Sequence, residues 1–249
     1  MGQNICTSCL NRPAENGEIK LEQSSSTPLI SPNAAAGVNV VETQRKLNEA
    51  LDTFKELLEE GIDGTDCEVI VDESFCKVSA KELEKGYVIK YKFFMQHSRE
   101  EFFDFMAHTE NRHTWDKNVK FSKRLAEFEG IGIIHTVYKG QMGASAREAV
   151  VATKKHEYGK GVIDFSTSVE TEEVPENGDH VRVAVHTGGY YVEPIPTDEQ
   201  GNITMVMGVS YVDLKIPKYL EKMAKKFSCK TMPTFAKNLV KALDKHKNK

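Results

Sequence analysis

The chain has 249 residues, of which 39% are hydrophobic, and its formal net charge is −4 at pH 7. That length is sufficient for one substantial hydrophobic core, and the small negative charge argues against a nucleic-acid-binding protein, which usually carries a strong basic surplus. No apolar run reaches the length of a transmembrane helix and no secretory signal follows the start, so we expect a globular cytoplasmic protein. The cysteines are odd in number and irregularly spaced, which is typical of reduced thiols and not of a disulfide framework: Cys6, Cys9, Cys67, Cys76 and Cys229.

Residues 1–38 are poor in large apolar side chains, and we expect a disordered tail ahead of a folded domain at 39–249. Gly2 follows the initiator Met, as N-myristoylation requires, although Cys6 stands where Ser or Thr is usual. Because one acyl chain binds membranes weakly, palmitoylation of Cys6 or Cys9 is the expected second signal. The sequence thus predicts a lipidated protein, peripheral on the cytosolic face of a membrane; the alternative is an unmodified tail. Cys6 and Cys9 have no second ligand pair at zinc spacing, so neither a metal nor a cofactor is expected.

Val41–Glu60 has apolar residues at i, i+3, i+4 and i+7 intervals, which predicts an amphipathic helix that ends at Gly61. Two strand patterns follow, and Ser98-x-x-Glu101 is a capping box that opens a second helix. From residue 119 onward the pattern predicts six strands: Val119–Phe128, Gly132–Lys139, Ala146–His156, Gly161–Glu170, Val181–Pro194 and Ile203–Leu214.

The last predicted element is a helix over Pro217–Lys247, in which Pro233 marks a kink or a new first turn. An antiparallel sheet of eight or nine strands must curl, and the terminal helix is the natural cover for its concave face. Gly188–Gly189 indicates a bulge or bend in that sheet. The order of elements predicts an α+β fold whose helix and sheet enclose an elongated apolar cavity, a suitable site for a lipophilic ligand.

Four short motifs occur in series: Arg112-x-x-Trp115-Asp116 with Val119, Arg147-Glu148 followed by Ala-Val-Val, Arg182-Val183 followed by Gly189-Tyr190, and Asp213-Leu214-Lys215-Ile216-Pro217 followed by Leu220. Together they resemble the StAR-related lipid-transfer (START) domain family over about residues 40–245, although the glycine usual after the last motif's lysine is absent. The resemblance implies a helix-grip (START/Bet v 1-like) fold, a curved antiparallel sheet of about eight or nine strands wrapped around a long C-terminal helix. It also implies one lipid in a tunnel under that helix, without catalysis.

By similarity to phosphatidylcholine-transfer members, Arg112 and Asp116 are expected to contact a phospholipid headgroup, with Trp115 and Tyr190 beside them. Because the two charged residues are four apart and share a helical face, a purely structural ion pair is the alternative. We include His186 among the candidate ligand-binding residues, because it lies in the middle of a strand and would face the ligand if its side of the sheet is concave. A surface histidine or one satisfied within the protein is the other possibility.

The start of the terminal helix and the loop at residues 139–146 form the predicted gate of the tunnel: Met142, Ile216, Pro217, Leu220, Met223 and Phe227. The positions that correspond to the aromatic choline cage of the phosphatidylcholine binders hold Thr136, Ala149 and His186, so no such cage is evident. The position of the buried arginine in the sterol carriers holds Thr153.

The favoured function is an intracellular lipid-binding and lipid-transfer protein that is not an enzyme. Its expected partners are a membrane surface and a lipid, with a phospholipid favoured and a sterol or ceramide as the other ligands; nucleic acid is not expected. A membrane-tethered lipid sensor or adaptor is a second class. A helix-grip cyclase or hydrolase is a third, against which the chain has no GxSxG or HExxH motif and no Cys/His pair near a motif.

Overall fold

Ten strands form one β-sheet within the residues that the computed structural model describes, which are 37–140, 144–176, 178–196 and 203–247. In chain order the strands are β1 (Glu68–Asp72), β2 (Cys76–Leu83), β3 (Gly86–Met95), β4 (Val119–Phe128), β5 (Ile131–Tyr138), β6 (Arg147–Tyr158), β7 (Gly161–Ser168), β8 (Val181–Arg182), β9 (Ala184–Ile195) and β10 (Ile203–Asp213). Nine of them follow the order β1-β2-β3-β10-β9-β7-β6-β5-β4 with antiparallel neighbours, and the short β8 pairs in parallel with β6. The predicted α+β fold with a curved antiparallel sheet is confirmed.

The helices of the described residues cover both faces of this sheet. They are α1 (Val40–Glu59), α2 (Arg99–Ala107), a 3₁₀ helix (Thr109–Thr114) and α3 (Lys218–Lys247). Val88 of β3 packs in the hydrophobic cluster of α1, whereas its neighbours Tyr87 and Ile89 pack in the cluster of α3. Because successive side chains of a strand point to opposite faces, α1 lies on one face of the sheet and α3 on the other.

Local sequence chemistry defines the ends of α1 and its attachment to the sheet. The Asn39 side chain accepts a hydrogen bond from the backbone N–H of Glu42 at 3.0 Å, which satisfies one free donor of the first turn. Gly61, with φ of +71°, follows the helix as predicted. The fully buried Thr187 of β9 donates its hydroxyl to the carbonyl of Ala50 at 2.9 Å, so a buried polar contact joins helix and sheet.

The two remaining α-helices follow the sequence with one difference. Both bonds of the predicted capping box are present: the Ser98 hydroxyl accepts from the Glu101 N–H, and the Glu101 carboxylate accepts from the Ser98 N–H. In α3 the helix continues through Pro233, so the alternative of a new helix at that proline is wrong.

The prediction of one strand over Val181–Pro194 is wrong, because Val183 separates β8 from β9. The bulge of β9 lies at His186 and not at the glycine pair, where a bulge or bend was expected; Gly189 itself has φ of +151°. A Cβ atom there would lie 1.9 Å from the carbonyl oxygen of Asp164 on β7, so only glycine fits this position.

Several predicted features lie outside the described residues: the gate residue Met142, the acylation candidates Gly2, Cys6 and Cys9, and nearly all of the tail at 1–38. Among the helices that the structure does describe, none combines the length and the apolar character needed to cross a bilayer.

Candidate functional site

A cavity of about 360 Å³ lies between the sheet and the first half of α3. Side chains of β3, β9, β10 and α3 form most of its apolar wall: Tyr87, Ile89, Val185, Val212, Leu220, Met223 and Phe227. An enclosed wall of this kind, with few polar groups, suits a ligand with hydrocarbon chains.

A second cavity, of about 670 Å³, continues the first one deeper under α2 and the 3₁₀ helix. The two adjoin, since they share Tyr91, Arg112, Tyr138, Ala149, Val185, Tyr190, Ser210 and Val212 as lining residues. The deeper cavity has more polar groups in its wall, including Thr153, Asp164 and Ser166. The protein therefore offers an apolar chamber next to α3 and a more polar chamber beyond it.

The expected Arg112–Asp116 ion pair lies at the junction of the two chambers. Arg112 Nε donates to Asp116 Oδ2 at 3.2 Å, and the Asp116 N–H donates to the Arg112 carbonyl at 2.9 Å, so a single backbone turn sets the spacing of the pair. The Asp116 side chain is 5% exposed, and its Oδ1 also accepts from the Asn118 N–H at 3.1 Å. The carboxylate is thereby fixed in place.

The guanidinium of Arg112 is only partly engaged by this pair. Its two Nη atoms have no hydrogen-bond partner among the described residues, and 28% of the side chain is exposed although the residue lines internal cavities. Burial by itself would lower the pKa of Arg112, but Tyr138, Tyr190 and Asp116 outweigh burial and raise that pKa. The cavity junction therefore carries a protonated guanidinium with free donors.

Tyr190 of β9 lies next to the ion pair, as the sequence predicted, and lines both chambers. Its ring packs edge-on against Tyr91 and Phe102, with centroid distances of 6.5 and 5.5 Å. Burial raises the pKa of both tyrosines, so each hydroxyl keeps its proton at neutral pH. Two phenol groups are thus held near Arg112 in a rigid aromatic cluster.

Trp115 contributes mainly to the packing under α3. It is 8% exposed and contacts Phe105 and Phe235 at centroid distances of 5.8 and 5.6 Å. It also lines the deeper chamber. The Trp115 ring therefore joins the end of the 3₁₀ segment to Phe235 in the second half of α3.

Four of the expected gate residues line the smaller cavity: Ile216, Leu220, Met223 and Phe227. Pro217 is not among its lining residues and immediately precedes α3. Met223 and Phe227 are also 47% and 38% exposed, so they border the cavity and solvent together. This stretch of α3 is the thin wall of the chamber.

His186, like Pro217, lines neither cavity. It is the extra residue of a β-bulge, since Tyr211 and Val212 of β10 pair with Thr187 and Val185 on either side of it. Its ring lies 4.4 Å from the Tyr211 ring, and burial lowers its pKa. Val185 lines both chambers and His186 lines neither, so the expectation that His186 faces the ligand is corrected.

Sequence reasoning missed Asp164 entirely. Thr136, Ala149 and Thr153, the positions compared with other members of the family, line the deeper chamber. Asp164 of β7 lines it as well, and its Oδ1 accepts a hydrogen bond from the Thr153 hydroxyl at 2.9 Å. The sequence did contain a signal that could have found it: Asp164 is a charged residue within the otherwise apolar start of a predicted strand, Gly161-Val-Ile-Asp-Phe165.

The described residues offer packing and hydrogen bonding as their main chemistry. Burial raises the pKa of the Cys76 and Cys229 thiols to about 11, so neither is a thiolate at neutral pH. Within the described part of the chain, no group of three or more His, Cys, Asp or Glu side chains is placed to hold a metal ion.

Comparison with known proteins gives a family match. The family model described as "START domain" matches residues 66–249. Among solved structures, human StAR-related lipid transfer protein 5 is similar with a TM-score of 0.70 and 19% identity, covering 82% of this chain and 99% of that one. Human STARD10 has a TM-score of 0.68 and 18% identity, covering 79% of this chain and 80% of that one. The human StarD13 (DLC2) lipid transfer and protein localization domain has a TM-score of 0.58 and 17% identity, covering 79% and 96%.

A search of curated proteins finds no match to this sequence. At identities below 20% the solved structures show a shared fold, and the family assignment comes from the START match, which spans most of the chain and contains the Arg112 and Tyr190 motifs. The chain therefore belongs to the START domain family.

Proposed function

We propose that this protein binds one phospholipid in the two adjoining chambers and transfers it between membranes, without catalysing a reaction. The observation that carries the proposal is Arg112, a guanidinium at the junction of the chambers whose Nη donors have no partner among the described residues. A phosphate matches those donors in charge and in geometry. The similar human structures are named as lipid-transfer proteins, which supports the same class of function.

The apolar wall next to α3 is suited to covering the acyl chains of a lipid. Every CH₂ group left in water would cost about 0.8 kcal/mol, so a lipid crosses the aqueous gap only if its chains stay covered. The wall formed by Ile89, Val185, Val212 and Leu220 provides that cover. The chamber replaces the bilayer interior while the lipid is in transit.

Release is proposed to proceed through the thin wall at Met223 and Phe227. Lys215, just before α3, adopts a positive φ of +52°, and Asp213 accepts its backbone N–H at 2.8 Å, so a defined turn precedes the helix. We expect the first half of α3 to move about this turn when the protein meets a membrane. Hydrogen exchange over residues 216–227 should accelerate on adding vesicles; unchanged protection there during active transfer would contradict the gate.

Tethering by the tail is part of the same proposal. Acylation of Gly2 and of Cys6 or Cys9 would anchor the domain at 39–249, with residues 10–38 as the linker. A Gly2→Ala variant should then leave the membrane fraction of cells. If the wild-type protein carries no acyl group by mass spectrometry, the tether is wrong and the lipid carrier stands. A protein that holds lipid but never transfers it would be a sensor or adaptor.

The ligand proposal is tested by identifying the lipid that co-purifies with the protein and by measuring transfer between vesicles. We expect about one phospholipid per chain, and at least about tenfold weaker loading in Arg112→Ala, because a charge-assisted hydrogen-bond pair is lost. Arg45→Ala is the matched control, since Arg45 lies exposed on α1 and pairs with Glu42 and Glu49. If Arg112→Ala loads normally but melts earlier, the ion pair is structural, and an empty wild-type protein would refute the function.

A further inference from the structure

The deeper chamber contains a carboxyl group that the protein itself does not neutralise. Asp164 lies in β7, directly across from Tyr190 of β9 and from Lys155 of β6. Its Oδ1 accepts the Thr153 hydroxyl at 2.9 Å, and that same hydroxyl lies 3.0 Å from the carbonyl of Phe165. No ion pair includes Asp164 among the described residues.

The nearest cationic side chains are engaged with other groups. Arg124 donates to Glu127 at 2.8 Å, and the Lys155 ammonium lies 4.6 Å from the centroid of the Phe103 ring. Burial raises the pKa of Asp164 and outweighs the Thr153 hydrogen bond and the two cations Lys155 and Arg124, which lower it. A carboxyl group in this state gains from any ligand group that donates a hydrogen bond to it.

The position of Asp164 relative to Arg112 gives the ligand a direction. Tyr190 lines both chambers, contacts the Arg112 neighbourhood and is the cross-strand partner of Asp164. Directly opposed side chains of a sheet have Cβ atoms about 5 Å apart. Because Arg112 lines both chambers, the headgroup of a phosphate bound there has access to the chamber that holds Asp164, Thr153 and Ser166.

We propose that Asp164 and Thr153 form a headgroup subsite that selects a ligand with N–H or O–H donors, a primary ammonium or a hydroxyl. A quaternary ammonium has no such donors, so burying it against Asp164 gives the carboxyl no hydrogen bond beyond the one from Thr153. The subsite rests on the proposed function in one respect: it assumes that the ligand is a phospholipid whose phosphate binds Arg112. Its own chemistry, the donor requirement, is independent of that assumption.

The test is competitive loading of the full chain from vesicles that contain phosphatidylethanolamine and phosphatidylcholine in equal amounts, with lipid per chain measured by mass spectrometry. These two lipids share the phosphate and differ at the nitrogen, where three methyl groups of choline replace three N–H donors; the Asp164 and Thr153 variants separate the effect of the donors from that of size. Wild type should prefer the ethanolamine lipid by at least about tenfold, and Asp164→Asn or Thr153→Val should reduce that preference about tenfold or more. Asp104→Asn, on the exposed side of α2, is the matched control and should leave it unchanged.

Vesicles with phosphatidylglycerol or cholesterol form the hydroxyl arms of the same experiment. An unchanged headgroup preference in Asp164→Asn, with normal phospholipid loading, overturns the subsite and leaves the proposed function intact. Loading of cholesterol alone, weakened by Asp164→Asn and unaffected by Arg112→Ala, overturns the phospholipid assignment and supports the subsite. Equal loading of both phospholipids by wild type also overturns the subsite, and circular dichroism confirms that each variant is folded.

Discussion

Replacing Gly208 by alanine should push an aromatic ring into the ligand chambers. Gly208 of β10 pairs directly with Tyr91 of β3, and a Cβ atom at 208 would lie 2.1 Å from Tyr91 Cζ and 2.5 Å from both Cε atoms. Tyr190 and Phe235 pack edge-on against Tyr91 at centroid distances of 6.5 and 6.1 Å, and the ring also lines both chambers. We therefore expect the displaced ring to move toward the chambers.

Two opposing effects set the size of the change in stability. Overpacking of this kind costs about 1–3 kcal/mol, because the neighbours must leave their preferred positions. A Gly→Ala change also removes freedom from the unfolded chain, which favours folding by about 0.4–1 kcal/mol. The overpacking dominates for Gly208→Ala, and each kcal/mol lost lowers the melting temperature by about 2–4 °C in a domain of this size.

The assay is thermal unfolding together with lipid loading, and Gly188→Ala on β9, a position that lines the deeper chamber, is the matched control for unfolding alone. A Cβ atom at 188 meets nothing closer than 3.6 Å, so this variant should stay within about 0.5 kcal/mol of wild type. Tyr91→Leu removes the ring, and in that background Gly208→Ala should cost much less. If Gly208→Ala melts and loads lipid as wild type does, or if Tyr91→Leu gives no rescue, the proposed collision is wrong.

Three shorter predictions follow from other described contacts. Burial raises the pKa of Asp164 in the folded state. The stability that comes from its protonation is therefore present below the unfolded-state pKa and is lost as pH rises through the folded-state pKa. Lipid-free Asp164→Asn should thus have a higher melting temperature than wild type at pH 7, and this difference should disappear toward pH ~4. An equal gap at both pH values would contradict this. Ser98→Ala should lower the unfolding free energy by about 1 kcal/mol, measured by urea denaturation, because it removes the hydroxyl that accepts from the Glu101 N–H; the bond from the Ser98 backbone N–H to the Glu101 carboxylate is retained. Cys76 and Cys229 should resist alkylation at pH 8 in the native protein and react in urea, since burial raises the pKa of each thiol to about 11; rapid native labelling would show that the core opens readily.

Local residue chemistry was sufficient for most elements and for the family. The strand predicted at Val119–Phe128 has the bounds found in the structure, and α1 differs from its prediction by one residue at each end. The Ser98 capping box is equally local, because its two bonds lie within one turn. The family was predicted from the resemblance of four short motifs in series, Arg112-x-x-Trp115-Asp116 among them, and the START match confirms it.

The tertiary structure alone decided which side chains reach the ligand chambers. Alternation along a strand predicts which residues share a face, but which face is concave depends on strands and helices far away in the chain. A bulge adds one residue and so exchanges the faces of the residues that follow it. His186 lies at such a bulge and turns away, whereas Asp164, which periodicity treats as an exception within a buried strand, faces the deeper chamber. The free Nη donors of Arg112 are likewise a property of the packed core, since spacing predicted the pair with Asp116 and only the folded geometry shows that Nε alone makes it.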